Sequence, residues 1–493
     1  MVAYVPPKQA GKYKAVASGA ITNGKPVFVH TDGTVKQVSQ TVDEATQALG
    51  TNVVFETGTT NYISGIFDST NNKVVFVYQD SSNSGYSTVV VCTIASNGSM
   101  SAGTPVVYAS HGGGGHQAIA YLGSGKVALF YKDDSGNNGD VIIGTVSGTT
   151  VGSFGSAVEF TPKNVRDTVV AYDTSTSRLV MAYRDGGTDK GVVRVASISG
   201  TTPTFGSEAF FHNAATNAGL GITFDSNSNK IVIAYVDGAD SSKGKAVVGT
   251  VSGTSISLGT EVEFEAGTTR HVGLAFDSTN NKVIVAYEDG GDSNKGKAKV
   301  GTVSGTSISF GSEAVFTASN SYFDTLGFPI AHDSNANKIV IVYPDESDGF
   351  DGEFVIGTVS GTSISFSSST DFETDTVEHV ALVFDSNVNK FAIAWRDGGN
   401  SNRGTVRSLQ LAYSNTTNTL TSENYIGIAS GGTYADTAEA TIDVVGTVNK
   451  DQSGLTAGQT YYVQNDGTLG TSADDPSVVA GTAISATELI VKG

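Results

Sequence analysis

The chain has 493 residues, and 48 acidic against 29 basic side chains give it a formal net charge of −19. An acidic surface repels the phosphate backbone, so duplex nucleic acid is excluded as an expected partner. The one cysteine, Cys92, lies in an apolar stretch, which excludes an intramolecular disulfide and predicts a buried structural thiol.

The N-terminal segment carries no targeting signal that we recognise. Residues 1–14 lack the apolar core of a signal peptide, and no stretch of the chain is long and apolar enough to span a membrane. We therefore predict synthesis in a cytoplasm and no membrane insertion. The segment also holds a small basic island, Lys8, Lys12 and Lys14, which is either an assembly arm for an acidic neighbour or a frayed terminus.

Most of the chain is a repeat. Phe-Asp-Ser marks four copies, with the aspartate at Asp68, Asp225, Asp277 and Asp385. Residues 172–174 and 332–334 are degenerate forms of this marker, and residues 121–123 are a worn copy without the aspartate. The spacing is 52 residues from Asp173 to Asp225 and from Asp225 to Asp277. A second marker is an aromatic residue two positions before an aspartate. It occurs in all seven copies, at Tyr78, Tyr131, Tyr183, Tyr235, Tyr287, Tyr343 and Trp395.

Each copy reads as four short strands, as residues 271–316 illustrate. The second strands are nearly unbroken apolar runs, which is typical of a strand covered on both faces by its neighbours. We therefore predict an all-β fold with a seven-bladed β-propeller, built from four-stranded blades with a repeat of about 52 residues. A linear β-solenoid is the main alternative, but its repeats are usually shorter.

Residues 49–60 closely match residues 258–269, where an outer strand ends one copy and leads into the next. We therefore expect residues 49–56 to form an outer strand that pairs with the last copy, near residues 379–413, and closes the ring. Residues 420–429 could compete for the same place.

Both chain ends contain a related hairpin. Residues 19–35 and 454–469 each read as a turn, a strand, an Asp-Gly hairpin and a returning strand. This indicates one small β-domain built from both chain ends, with the propeller inserted in it. The predicted domains are residues 1–48, the N-terminal part of that domain; residues 49–426, the propeller; and residues 427–493, the C-terminal part.

The C-terminal segment, residues 440–446, 454–469 and 478–492, resembles the terminal module of virion structural proteins, often called tail fibres, from marine tailed bacteriophages. The resemblance implies a virion component that is made in the host cytoplasm and contacts other virion proteins. Since phage fibres are commonly trimeric, it also implies a homo-oligomer. The matching motifs are structural hairpins, so no catalytic residue is transferred to this chain.

One position in the repeat varies while the framework around it stays constant. Six residues before the marker aspartate, at the entry to the first strand, the copies differ, and charged residues stand beside that position. Variation on a constant scaffold suits a binding surface, whereas free drift of solvated positions is the simpler alternative. The predicted ligand-binding residues at this propeller mouth are Tyr62, His116, Arg166, Asp167, Arg270, His271, Glu378 and His379.

Two other patterns have structural explanations that we favour. The Asp-rich loops, such as residues 237–241 and 289–293, contain oxygen donors that suit calcium, but Asp beside Gly also caps a turn, with lysine nearby to neutralise it. We predict no metal and no cofactor. The repeated aromatic could stack on a sugar, but blade packing with a bonded hydroxyl group is favoured.

No enzymatic motif stands out. The single tryptophan lies outside a sialidase-type turn, and the chain has no phosphate loop, zinc-ligand cluster or nucleophile elbow. The predicted function is a non-enzymatic virion appendage, such as a tail-fibre component, whose propeller binds a glycan or protein on the host surface. The alternatives are a capsid or tail decoration or scaffold protein without receptor binding, and a polysaccharide depolymerase.

Overall fold

The computed structural model describes residues 11–112, 117–133, 135–320 and 327–492. The chain is all-β and divides into two compact units, each with its own contacts. We call residues 46–412 the repeat region, and residues 1–45 with 413–493 the terminal unit. No helix within the described ranges has the length and apolar character needed to cross a membrane.

Most strands of the chain belong to the seven repeats, and the others belong to the terminal unit. The N-terminal segment of the terminal unit contains β1 (Lys12–Val16), β2 (Pro26–Val29), β3 (Val35–Gln37) and β4 (Gln40–Ala45). The repeat region opens with β5 (Ala48–Leu49) and β6 (Val53–Asp68), and the first repeat continues with β7 (Lys73–Asp80), β8 (Tyr86–Ile94), β9 (Met100–Ala102) and β10 (Val106–Gly112). The second repeat consists of β11 (Ala118–Gly123), β12 (Lys126–Asp133), β13 (Asn138–Ser147), β14 (Thr150–Gly152) and β15 (Val158–Thr161).

The third repeat contains β16 (Val165–Asp173), β17 (Arg178–Asp185), β18 (Lys190–Ser199), β19 (Thr202–Phe205) and the start of β20 (Ala209–Asp225). The fourth continues from β20 into β21 (Lys230–Asp237), β22 (Lys243–Ser252), β23 (Ser255–Leu258) and β24 (Val262–Glu265). The fifth contains β25 (Thr269–Asp277), β26 (Lys282–Asp289), β27 (Lys295–Ser304), β28 (Ser307–Phe310) and β29 (Ala314–Asn320).

The sixth repeat contains β30 (Ile330–Asp333), β31 (Lys338–Asp345), β32 (Asp351–Ser360), β33 (Ser363–Phe366) and β34 (Thr370–Glu373). The seventh contains β35 (Val377–Asp385), β36 (Lys390–Asp397) and β37 (Arg403–Gln410). Short 3-10 helices lie at Ser81–Asn83, Glu346–Asp348 and Gly398–Asn400.

Every repeat pairs its strands in the same way. The first three strands form an antiparallel ladder, and two short strands share the outer edge of the third. We predicted four strands for each copy, but the fourth is split in two, as the fifth repeat shows with β28 and β29. The break falls at Gly311, whose amide still bonds to the carbonyl of Val300 at 2.9 Å. A β-carbon at Gly311 would overlap the carbonyl oxygen of Thr362 in the next repeat, so neighbouring repeats touch at this break.

The seventh repeat takes its outer edge from the N-terminal side of the repeat region. Leu49 of β5 pairs with Leu409, and Val53 of β6 pairs with Val406. The prediction that residues 49–56 complete the last repeat is confirmed. The first strands also lie side by side in the order β6, β11, β16, β20, β25, β30 and β35, and β35 lies against β6 again.

The second strands form the core of the repeat region. Their residues are almost all buried, and so are the seven repeated aromatic side chains, from Tyr78 to Trp395. The Tyr78 hydroxyl donates to Glu56 at 2.8 Å, and the Tyr287 hydroxyl donates to Glu265 at 2.9 Å. The packing interpretation of this aromatic is therefore confirmed. Cys92 is also buried, and burial raises the pKa of its thiol to about 12.

The marker aspartate shapes the turn between the first and second strands. In the fourth repeat, Asp225 Oδ1 accepts the amides of Asn227 and Ser228 at 2.9 Å each, and its Oδ2 accepts the Ser228 hydroxyl at 2.7 Å. The equivalent carboxylates accept both turn amides in the same way at Asp68, Asp173, Asp277, Asp333 and Asp385. We call this edge of the repeats the turn end.

The rest of the terminal unit consists of β38 (Tyr413–Asn418), β39 (Tyr425–Ala429), β40 (Glu439–Asp443), β41 (Val448–Asn449), β42 (Thr460–Val463), β43 (Leu469–Gly470), β44 (Val479–Ala483) and β45 (Leu489–Val491). Strands from both chain ends share one sheet, in the order β1-β40-β39-β2-β3. The predicted boundary at residue 426 shifts to residue 412, because β38 pairs with β4 and β39 pairs with β2 and β40. The same pairing shows that residues 425–429 do not compete for the edge of the last repeat.

Candidate functional site

The first strands of the repeat region line a cavity of about 610 Å³. Residues from all seven repeats contribute to its wall. Half-buried aliphatic side chains line the wall three residues before the marker aspartate, at Val170, Ile222, Leu274, Ile330 and Leu382. The wall nearer the predicted mouth is polar, with Tyr62, Asp167 and His271. The lining therefore changes along the first strands, from polar side chains at these entry positions, which we call the rim, to aliphatic side chains three residues further on.

The rim is built by a β-bulge that recurs in the repeats. The register between the first and second strands shifts at this position in five of them. Each bulge contains a residue with positive φ, namely Tyr62 (52°), Asp167 (51°), Gly219 (111°), His271 (48°) and His379 (49°). A β-bulge changes the direction in which a side chain points. A left-handed backbone at a residue other than glycine costs about 1 kcal/mol or more.

Of the eight predicted ligand-binding residues, His116 lies outside the described residues. Tyr62, Asp167 and His271 line the cavity. The rings of Tyr62 and His379 pack against each other with centroids 4.8 Å apart, which joins the seventh repeat to the first. His379 itself is buried, and burial together with the nearby Arg396 lowers the pKa of its imidazole to about 3.

Arg270 and Glu378 form ion pairs between the first and second strands. Arg270 Nη1 lies 3.3 Å from Glu288 Oε1 and donates to Asn294 at 3.0 Å. In the seventh repeat the charges are exchanged, and Arg396 Nε donates to Glu378 at 2.6 Å.

The third repeat contains a similar cluster of charges. Arg184 Nε donates to Asp167 at 2.6 Å, and its Nη1 donates to Asp189 at 3.3 Å. Arg166 lies farther from the same Asp189 oxygen, at 3.8 Å, and its side chain is 42% exposed.

Arg184, Glu288 and Arg396 were missed in the sequence. All three occupy one position of the second strand, between the repeated aromatic and its aspartate. They face Arg166, Arg270 and Glu378 across the ladder. The exchange of Arg and Glu between the fifth and seventh repeats was the signal that could have revealed this pairing.

Glu288 is the most perturbed carboxyl group near the rim. Its side chain is buried, and this burial raises its pKa to about 7 against the opposing effect of Arg270. The nearby Glu346 adds a further upward contribution to the pKa. Glu288 therefore changes charge near neutral pH, at 3.8 Å from Nε2 of His271.

The Asp-rich loops act as turn caps. Asp237 Oδ1 accepts the amide of Ala239 at 2.9 Å, and its Oδ2 accepts Lys245 Nζ at 2.6 Å. Asp289 makes the same contacts with Gly291 and, at 2.8 Å, with Lys297. In the part of the chain that the structure describes, no group of three or more His, Cys, Asp or Glu side chains is arranged to hold a metal ion.

No protein-family model matches the chain, and no curated protein matches its sequence. Among solved structures, the chain is similar to the SapL1 lectin in complex with alpha methyl fucoside, with 11% identity and a TM-score of 0.40 over 64% of this chain and 98% of the lectin. It is also similar to AofleA from Arthrobotrys oligospora, with 10% identity and a TM-score of 0.41 over 74% of this chain and 99% of that one.

Proposed function

We propose that the repeat region is a seven-bladed β-propeller whose cavity rim binds a glycan on a host cell surface. Support for the blade count comes from the seven equivalent repeats and from the order of the first strands, each of which lies against the next. In a propeller the loops at one end of the blades converge on the axis, where a ligand meets several repeats at once.

The observation that carries the proposal is the recurring bulge. Five described repeats share the same irregular backbone, with Tyr, Asp, Gly, His and His at the bulge, and in the four that place a residue other than glycine there this backbone costs conformational energy. A bulge used only for packing would favour one residue type, as the buried aromatic position does. Different side chains held in one geometry provide a varied set of hydrogen-bonding groups around one opening.

The composition of the cavity suits a sugar. A pyranose presents hydroxyl groups at its edge and an apolar C–H face, and the cavity offers a polar rim and the aliphatic side chains of Ile222 and Leu274. Its volume of about 610 Å³ falls in the usual range for small-ligand sites. Arg166 and Arg270 are partly exposed beside the rim and can donate to hydroxyl or carboxylate groups.

For the whole chain we propose a virion appendage, such as a tail-fibre component, that acts without catalysis. The support is the resemblance of the C-terminal hairpins to the terminal module of such proteins. On this proposal the chain is a homo-oligomer in the virion, where the terminal unit contacts other virion proteins and the repeat region contacts the host.

A scaffold or decoration role is the second candidate, and one observation favours it. Charged side chains near the rim already satisfy one another, as in the pairs Arg184–Asp167 and Arg396–Glu378. Such pairs hold the first strand on the second without any ligand. A scaffold protein would need these pairs but would show no preference among glycans.

Binding of the full-length chain to a glycan array tests the proposal. The first variant combines Arg166→Ala and Arg270→Ala at the rim. The control variant, Lys230→Ala with Lys338→Ala, removes the same charge from the turn end. We expect one glycan class to bind, and we expect the rim variant to bind it at least about tenfold more weakly, as the loss of one charged hydrogen bond predicts. The control should bind normally.

If no glycan binds, the scaffold role is favoured. If the wild type binds a glycan and both variants lose binding equally, the rim is not the binding site. Release of reducing ends from host polysaccharide by the full-length chain would instead indicate a depolymerase.

A further inference from the structure

The terminal unit contains the same five-stranded arrangement twice. The first sheet has the order β1-β40-β39-β2-β3, and the second has the order β41-β45-β44-β42-β43. When the strands of each sheet are counted along the chain, both orders read first, fifth, fourth, second, third. All of these named pairs are antiparallel. Two sheets that share a strand order of this kind are two copies of one module.

The hairpins of the two copies match atom by atom. Asp32 Oδ1 accepts the amide of Thr34 at 2.9 Å and its hydroxyl at 2.6 Å. Asp466 Oδ1 accepts the same two groups of Thr468 at 2.8 and 2.6 Å. The amide of Gly24 bonds to Ala429 at 2.9 Å in the first copy, as the amide of Gly458 bonds to Ala483 at 2.8 Å in the second.

The fourth strands match as well. Both contain a glycine where the neighbouring strand comes close, since a β-carbon at Gly427 would overlap the carbonyl oxygen of Asp443, and one at Gly481 would overlap that of Ile490. The ladder of each copy shifts register beside this glycine, between Val27 and Phe28 in the first copy and between the equivalent tyrosines in the second. The equivalence therefore extends beyond the hairpins that the sequence displays.

The copies differ at one junction. In the second copy, residues 471–478 join the third strand to the fourth. In the first copy, residues 38–424 occupy that place and carry the whole repeat region. We propose that the terminal unit is a pair of modules, each of which can carry an inserted domain between its third and fourth strands. The repeat region is the insertion in the first module, and the junction between Ser472 and Ala473 is a second site able to carry a folded domain.

The local structure of this junction permits an insertion. Thr471, Ser472 and Ala473 are exposed. One junction contact lies among them, since the carbonyl of Ser472 accepts the side-chain amide of Gln464 at 3.0 Å. The others lie after Ala473, where Asp474 Oδ2 accepts the amide of Asn465 at 3.0 Å and the carbonyl of Asp475 accepts its side-chain amide at 2.9 Å. An insertion before Asp474 leaves these bonds in place, and a longer loop between fixed ends raises the entropic cost of closure only slowly.

Moving the insertion from one copy to the other tests the proposal in a chain that keeps both units. Residues 40–418 are placed between Ser472 and Ala473. Ser39 and Thr419 are then joined by Asn-Gly. The amide of Thr419 already bonds to the carbonyl of Ser39 at 3.2 Å, which is the bond that closes a two-residue hairpin turn. The control places the same segment between Asp466 and Gly467, where it breaks the turn that both copies share.

We expect the transferred chain to unfold within about 5 °C of the wild type, with amide exchange still slow at Ala429 and Ala483. The control should lose protection at Ala483. Equal loss of protection in both chains would overturn the proposal. A second experiment inserts a small folded domain between Ser472 and Ala473 of the otherwise unchanged chain. If it folds there, the site stands; if it unfolds the second copy, the proposal fails.

Discussion

Each first strand of the repeat region has a turn end and a rim end, and different features recur between repeats at the two ends. At the turn end, the same aspartate makes the same two backbone bonds, as Asp225 and Asp277 show. At the rim end, the backbone is constant but the side chain is not, as His271 and Asp167 show. A constant side chain fixes the register of a hairpin, whereas a constant backbone with varied side chains leaves recognition open. The repeats thus separate folding from proposed binding along a single strand.

The largest effect on the free energy of unfolding is expected from a substitution inside a repeat, between strands that support both the turn end and the rim end. In Gly244→Val the new side chain would overlap the ring of Phe264 within one repeat. We expect a loss of about 3 kcal/mol in the free energy of unfolding, because overpacking forces backbone and rotamer shifts. Chemical denaturation measures this loss. Gly152→Ala, which has no atom within 4 Å of its new β-carbon, is the control and should be close to neutral.

The pH dependence of stability tests the rim end through Glu288. Its folded pKa of about 7 exceeds the ordinary value of 4.5, so the folded state holds the proton more tightly. The contribution of Glu288 to stability should therefore be fully present below pH 4.5 and be lost as the pH rises to 7, by roughly 3 kcal/mol in all. Glu288→Gln should flatten this part of the profile, whereas the exposed Glu423→Gln should leave it intact. A profile unchanged in Glu288→Gln would contradict the assignment.

At the turn end, Asp225→Ala removes the acceptor of two amides and one hydroxyl. We expect a loss of about 2 kcal/mol, because partly buried donors lose a charged partner. Thermal unfolding measures the loss. Glycan binding at the rim should not change in the folded fraction. A weaker glycan affinity in this variant would show that the turn end and the rim end do not act independently.

The smallest effect on stability is expected from His271→Gly. Glycine relieves a left-handed backbone that costs about 1 kcal/mol, and this gain offsets the lost contact with Glu288. The net change should stay within about 1 kcal/mol while glycan binding falls. Gly219→Ala, the reverse change in the fourth repeat, should destabilise more, because its φ of 111° does not suit alanine and its β-carbon would lie 2.9 Å from Val236.

The sequence predicts the repeats, the buried aromatic position and the closing strand at residues 49–56, because each rests on a residue pattern that recurs. The end of the repeat region at residue 412 was harder to see. Strand β38 is a polar run without a repeat marker, and only its pairing with β4 assigns it to the terminal unit. The pairing of Glu288 with Arg270 also escaped prediction, because it depends on the register that the bulge sets.

The closing strand also has a consequence for how the chain is made. Strands β5 and β6 leave the ribosome before every other strand of the repeat region, but their partner β37 is the last strand of that region to be synthesised. Until then, the nascent chain exposes an open β-edge at residues 48–56, and a growing stack of repeats exposes another. Such edges pair readily with the wrong strand. The repeat region therefore cannot be completed until β37 has been synthesised, and the growing polypeptide needs protection from its neighbours for that whole period.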